Sequence, residues 1–238
     1  MKMLSLIAAL LLSATTAMSC NDYDSTDIDI TEPRNVEQFN RINVSAPVTV
    51  RLVCGQKQAV TVSGKDKAVT KVVTEVIDGE LVIRLSSGHF HVNRKTTVDV
   101  TAESLTALRA SGACNVEMPL LTVCDDLDLR ISGASDVNIA NLEVKGFLNA
   151  QVSGASDLDI HCKAGRAAFI ASGASDVDIP KIETDDIEVS ASGASDVDVR
   201  GFVENIRVNA SGASEVNLRH LRFNNHEFQS SGASDIDL

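Results

Sequence analysis

From Ala107 to Leu238 apolar and polar residues alternate with period two, and Ser-Gly-Ala interrupts the alternation at a nearly constant interval. The copies begin at Ser111, Ser132, Ser153, Ser172, Ser192, Ser211 and Ser231, spaced by 21, 21, 19, 20, 19 and 20 residues. Aligned on these copies, three columns are apolar throughout. Three positions before the serine lie Leu108, Leu129, Ala150, Phe169, Val189, Val208 and Phe228. Five after it come Val116, Val137, Leu158, Val177, Val197, Val216 and Ile236, and two further on Met118, Ile139, Ile160, Ile179, Val199, Leu218 and Leu238. The residue between the last two columns is always polar, from Glu117 to Asp237. Period two puts one side of each strand on a core, and a fixed repeat near twenty stacks each unit on the next.

At roughly 3.3 Å per residue, one repeat makes a coil with three short sides. The pattern therefore predicts an all-β fold over residues 105–238: a seven-coil, single-stranded parallel β-helix (β-solenoid). The preference for right-handed parallel connections makes it right-handed. One strand leads into Ser-Gly-Ala and the second follows it as Asp-Val-Asp-Ile. A third holds Leu121, Leu142, Ile182, Phe202 and Leu221. The corner itself asks for Gly112, Gly133, Gly154, Gly173, Gly193, Gly212 and Gly232, because a glycine turns with φ > 0 where a Cβ would clash. Small Ala and Ser neighbours let successive corners stack, and stacked serines can bond one another or the backbone. A catalytic serine does not fit: there is no Gly-x-Ser-x-Gly elbow and no histidine beside these serines.

Residues 38–104 lack the Ser-Gly-Ala period but keep alternating runs, "NVSAPVTVRL", "QAVTVSG", "VVTEVIDGELVIRL" and "KTTVDVTA". Asp78-Gly79 between two such runs predicts a hairpin. The segment reads as an irregular β cap continuous with the solenoid, since a stack of coils needs a specialised end. Upstream, Lys2, an apolar run from Leu4 to Leu12 and small residues before Cys20 read as a signal peptide over 1–19. The run is too short for a membrane-spanning helix. Ala17-Met18-Ser19-Cys20 resembles a bacterial lipobox, which implies a lipidated (palmitate-type) Cys20 and membrane attachment through acyl chains. The alternative is an ordinary signal peptide that ends in Cys. Residues 20–37 are acidic and poor in large apolar residues, which predicts a solvated tether. Asn21, in place of an inner-membrane retention aspartate, points to the outer membrane.

The lipobox, "FNRINVSAPVTVRLVCG", "DGELVIRL" and the tandem "SGASDV" units together resemble the envelope family called putative auto-transporter adhesin, head GIN domain. The resemblance runs over nearly the whole mature chain. It implies a right-handed β-helix and, through the family's adhesin label, an adhesive role.

Charge narrows the partners. A formal net charge of −12 argues against nucleic acid. With no Trp and one Tyr, an aromatic platform for sugars is not expected. The strongest candidate chemistry is a ladder of aspartates, Asp157, Asp176 and Asp196 in one column and Asp159, Asp178 and Asp198 in the other. Like charges about 5 Å apart repel by roughly 3 kcal/mol at an effective dielectric of 20. Calcium between coils would relieve this, although the "GGxGxDxUx" calcium pattern is absent; otherwise the columns keep the sheet soluble. Cys54, Cys114, Cys124 and Cys162 fall at different offsets and read as small buried thiols. His89 and His91, without further ligands, read as a surface loop. The leading reading is thus a non-enzymatic envelope lipoprotein, without cofactor, that binds a protein or glycan through its repetitive surface. A calcium-assisted polysaccharide-processing enzyme and a passive structural protein remain as alternatives. The last coil, ending in Ile236 and Leu238, is a place for end-to-end association of two copies, or for a frayed coil protected by Asp235 and Asp237.

Overall fold

In the computed structural model, which describes residues 28–86, 95–120 and 122–238, nearly every described residue is in or beside a strand. The chain opens with β1 (Asp29–Arg34), β2 (Arg41–Val44), β3 (Thr49–Cys54) and β4 (Ala59–Lys65). One helical turn, α1 (Asp66–Val69), leads to β5 (Val72–Ile77), β6 (Glu80–Leu85) and β7 (Thr97–Ala102). Then come β8 (Ala107–Ala110), β9 (Asn115–Met118), β10 (Thr122–Cys124) and β11 (Leu127–Ile131). Four long strands bend around the stack: β12 (Asp136–Val152), β13 (Asp157–Ala171), β14 (Asp176–Ala191) and β15 (Asp196–Ala210). The stack ends in β16 (Glu215–Asn217), β17 (Leu221–Ser230) and β18 (Asp235–Asp237).

From β8 onward all pairings are parallel, and apart from bulges where the acidic face meets the middle face and within the middle face they are in register, so like stacks on like. Val137, Leu158, Val177, Val197, Val216 and Ile236 form one unbroken column. The β-solenoid has about six turns of about 20 residues. Seven corners bound six complete turns, and β18 alone represents the seventh coil. Three faces result. The acidic face follows each corner (β9, the starts of β12 to β15, β16 and β18). A middle face holds β10 and the centres of the long strands. The third, here the amide face, leads into the next corner (β8, β11 and the ends of β12 to β15 and β17). The apolar columns point inward and are almost wholly buried as far as Leu218; in the last coil Phe228 and Ile236 are half-buried and Leu238 is exposed. Size is matched along a column: Phe169, fully buried, lies between Ala150 and Val189.

At the corners the seven glycines have φ between +76° and +86°. The carbonyl of each glycine from Gly133 to Gly212 accepts a hydrogen bond from the alanine of the next corner, at 2.7–2.9 Å. The second serine of the motif (Ser135, Ser156, Ser175, Ser195, Ser214) is buried. In the later coils its hydroxyl donates to the carbonyl of the first serine, as Ser195 Oγ does to Ser192 at 3.0 Å and Ser214 Oγ to Ser211 at 2.9 Å. A small hydroxyl that satisfies itself locally is what a buried, tightly stacked corner requires.

The N-terminal half belongs to the same stack, but not in chain order. β2 pairs in parallel with both β6 and β8, and β3 with both β7 and β9. The coil 41–54 is therefore held between a coil made later, 80–102, and the first Ser-Gly-Ala coil. Beyond it β5 lies antiparallel on β6, and β4 on β7. The Asp78-Gly79 turn joins β5 to β6 with φ of 51° and 75°, the left-handed pair that a tight hairpin uses.

Two expectations need correction. The tether expected over 20–37 ends early, because Asp29–Arg34 forms β1, antiparallel to β4. Its polar composition suits an outermost strand, where Pro33 removes no needed donor; Lys65 meets Asp29 at 3.0 Å and Arg34 donates to the Val69 carbonyl at 2.9 Å. Phe202 is not a core residue but is 41% exposed. Between Val199 and Gly201 there is one residue, Arg200, where the preceding coil has Pro180 and Lys181. The missing residue reverses the parity, so Gly201 takes the inward place opposite Ile182 and Phe202 turns outward. The last coil carries an aromatic cluster of its own, while Leu238 is 68% exposed. Phe223, His226 and Phe228 replace Val203, Ile206 and Val208, and their rings pack against one another at 4.7–5.8 Å between centroids over the end of the core. Leu121, His89, His91 and Cys20 lie outside the described residues.

Candidate binding surface

The acidic face carries the aspartate ladder. Asp136, Asp157, Asp176, Asp196, Glu215 and Asp235 stand in one column, and Asp159, Asp178 and Asp198 are in register in the other. Partial burial and the charges of Asp136 and Asp176 push the Asp157 carboxyl above the usual aspartate range. Asp178 is raised as well, by burial and then by Asp198 and Asp159, against the opposing pull of Arg200. Arg200 itself is committed to Asp198 through two hydrogen bonds of 3.0 and 2.8 Å. Among the described residues no three His, Cys, Asp or Glu side chains converge as a metal ion would need. The geometry thus holds the carboxylates in parallel rows instead of a cage.

A carboxyl whose pKa is raised on folding weakens the folded state at neutral pH, where both states are ionised. That penalty fades as the pH falls through the raised value. Asp157→Asn should therefore raise the thermal midpoint at neutral pH, and the gain should shrink toward pH 4. An Asn variant that is less stable at neutral pH would show that the carboxylate is held by a favourable partner.

The middle face is charge-balanced. Lys145 pairs with Asp125 at 3.1 Å and Lys163 with Glu183 at 2.7 Å. Of the cysteines expected to be buried thiols, Cys124 and Cys162 are buried at its inner edge, Cys54 is only half-buried, and Cys114 is buried in the first Ser-Gly-Ala corner. Burial, the largest effect, pushes Cys54 up to about 11 and Cys124 and Cys162 up to about 12. They stay protonated at neutral pH and are poor nucleophiles. Cys54 is near enough to raise Cys124 further, and the cysteines within the described residues are free thiols.

The amide face departs most from expectation. It carries a groove of about 570 Å³ that crosses five strands from Phe147 to Asn225. Its floor is Ala168, a small outward residue among taller neighbours. At one end Phe147 is 38% exposed, with the Arg166 guanidinium 5.6 Å from its ring centre. Toward the other end the amides form a ladder: Asn205 donates to Asp186 at 2.8 Å and Asn225 to Asn205 at 2.9 Å. Arg207 donates to Glu227 at 2.9 Å. Ile170, 40% exposed, stands beside the groove on the same strand as Ala168. Composition argued against an aromatic platform; on this face the structure nevertheless places a phenylalanine ring outward beside ordered hydrogen-bonding side chains, as it does Phe202 on the middle face. The signal was present, since "GFLNAQ" puts Phe147 in phase with polar Asn149 and Gln151 and out of phase with the apolar Leu148 and Ala150.

A stack of coils whose polar side chains stand in ordered rows, with a shallow groove across the rows, is a scaffold that presents a surface. The chain belongs to the family described as "Putative auto-transporter adhesin, head GIN domain", whose model matches residues 38–201 and 163–238. No curated protein matches it. Among solved structures it is similar to a "putative adhesin" from Bacteroides fragilis NCTC 9343, at 20% identity over 88% of this chain and 96% of that one, with a TM-score of 0.76. A "putative adhesin" from Parabacteroides merdae ATCC 43184 is 13% identical over 88% and 95%, with a TM-score of 0.65. A "putative lipid binding protein" from Parabacteroides distasonis ATCC 8503 is 16% identical over 88% and 96%, with a TM-score of 0.55. At these identities the likeness is one of fold.

Proposed function

We propose that the protein is a non-enzymatic adhesion module of the cell envelope, held to the outer membrane through lipidated Cys20, and that its contact surface is the groove of the amide face. The family's adhesin description supports the adhesive class and an envelope or surface location. The observation that carries the choice of surface is the groove floored by Ala168: an exposed ring and ordered amides meet there on a protein whose other large apolar side chains mostly point inward. The protonated thiols and parallel rows of carboxylates favour binding over chemistry.

The test is adhesion of cells carrying the full-length protein to surfaces coated with extracellular matrix or envelope extract. Ala168→Arg fills the groove without touching the core and should reduce attachment at least about tenfold. Cys20→Ser, in the same cells, should leave the protein unlabelled by palmitate and released from the membrane fraction. Full attachment by the Ala168→Arg cells would exclude this groove.

A further inference from the structure

We propose that the ligand of the amide-face groove is a neutral, linear polysaccharide lying along the solenoid axis, with one sugar ring over each coil; this rests on the groove being the adhesive surface. Spacing is the first argument. Phe147, Arg166, Asp186, Asn205 and Asn225 are in register on successive coils. Parallel strands lie about 4.8 Å apart, so the row is about 19 Å long. A pyranose ring in an extended 1,4-linked chain advances by nearly the same step as one coil, so each sugar meets an equivalent position. An extended peptide advances only about 3.3 Å per residue and falls out of step with the coils. Moreover, the groove lies on a sheet face, where the strands' backbone groups are already paired and offer a peptide no edge to join.

Charge is the second argument. The two arginines of the groove, Arg166 and Arg207, are outnumbered by its three carboxylates, Asp186, Glu188 and Glu227. Arg166 faces Asp186 in the next coil, and Arg207 holds Glu227. No surplus of positive charge remains for an acidic polymer, and the chain's net charge of −12 opposes one. Chemistry is the third. The ladder from Asp186 through Asn205 to Asn225 fixes the side-chain amides before any ligand arrives. Each Asn amide nitrogen spends one N–H on the ladder and keeps a second, beside carboxylate acceptors, for adjacent hydroxyls. Ala168 and the Phe147 ring give the C–H faces of the sugars an apolar bed.

The experiment titrates the full-length chain, purified in detergent, with cello-, xylo- and manno-oligosaccharides from dimer to hexamer, and with oligogalacturonate as the acidic probe. At least one neutral series should bind, with Kd falling about tenfold or more from dimer to pentamer and then levelling once five coils are covered. Ala168→Arg and Phe147→Ala should each weaken it about tenfold or more while the circular dichroism spectrum is unchanged. Affinity independent of length, preference for oligogalacturonate, or an unchanged Kd in Ala168→Arg would overturn the proposal. If Ala168→Arg abolishes cell attachment but no neutral oligosaccharide binds, the groove remains the adhesive surface and the ligand is of another class, a folded protein first among them. If oligosaccharides bind but attachment survives Ala168→Arg, the adhesive surface lies elsewhere.

Discussion

Gly201→Ala should unfold at a much lower urea concentration than the parent, with a loss of about 3 kcal/mol or more. Gly201 has φ of +134°, and a Cβ there would sit 2.2 Å from the Ile182 carbonyl oxygen and 2.8 Å from its nitrogen. Both are backbone atoms of the adjacent coil, so no side chain can rotate away. The substitution also threatens the bond from Gly201 N to the His220 carbonyl, 3.2 Å long. Gly79→Ala is the control. Its φ is +75°, but a Cβ would meet nothing within 4 Å, so only the backbone preference is lost, about 1 kcal/mol. Equal midpoints for the two variants would mean that the coils around Gly201 separate at little cost. Gly173→Val and Gly232→Val should both be costly, because each corner's Cβ would strike the glycine carbonyl of the coil before it, at 2.7 and 2.9 Å. Having a coil on one side only therefore spares Gly232 little.

Phe169→Ala should cost about 3–5 kcal/mol. Phe169 is among the largest fully buried side chains, and its column neighbours Ala150 and Val189 are too small to fill the space it would vacate. Phe147→Ala, on the same sheet but outward, should change the midpoint by less than about 1 kcal/mol. The pair separates folding from the proposed recognition: the first variant tests the core and the second leaves it whole while removing the groove's ring. A similar loss in both would place Phe147 in the packing.

The stacked coils, their corners and their buried columns could be read from the chain because each is local. Ser-Gly-Ala marks the corner, and the two-residue period on either side sets which residues face in. What could not be read is relational. The sandwiching of Arg41–Cys54 between two later coils depends on which strands meet across long separations, and alternation is the same whichever neighbour a strand chooses. Phe202 was placed by counting between corners, and a single absent residue before Gly201 reversed it. β1 was hidden because an outermost strand and a solvated linker have the same polar composition. The groove escaped because a depression is made by one short side chain, Ala168, among neighbours brought near only by the coil repeat.

The out-of-order coil also sets the direction in which such a protein can lengthen. Each turn after β9 rests only on the turn before it, so a further copy of the twenty-residue unit can be added downstream without disturbing what is already built. Nothing comparable is open upstream. There the coil 41–54 must be gripped from both sides by segments synthesised after it, and the outermost strands run the opposite way. The foundation therefore depends on long excursions of the chain, whereas each regular turn needs only its neighbour. Gene duplication acting on this fold would extend the row of groove positions at one end only, and reach would be tuned by repeat number while the base stayed constant.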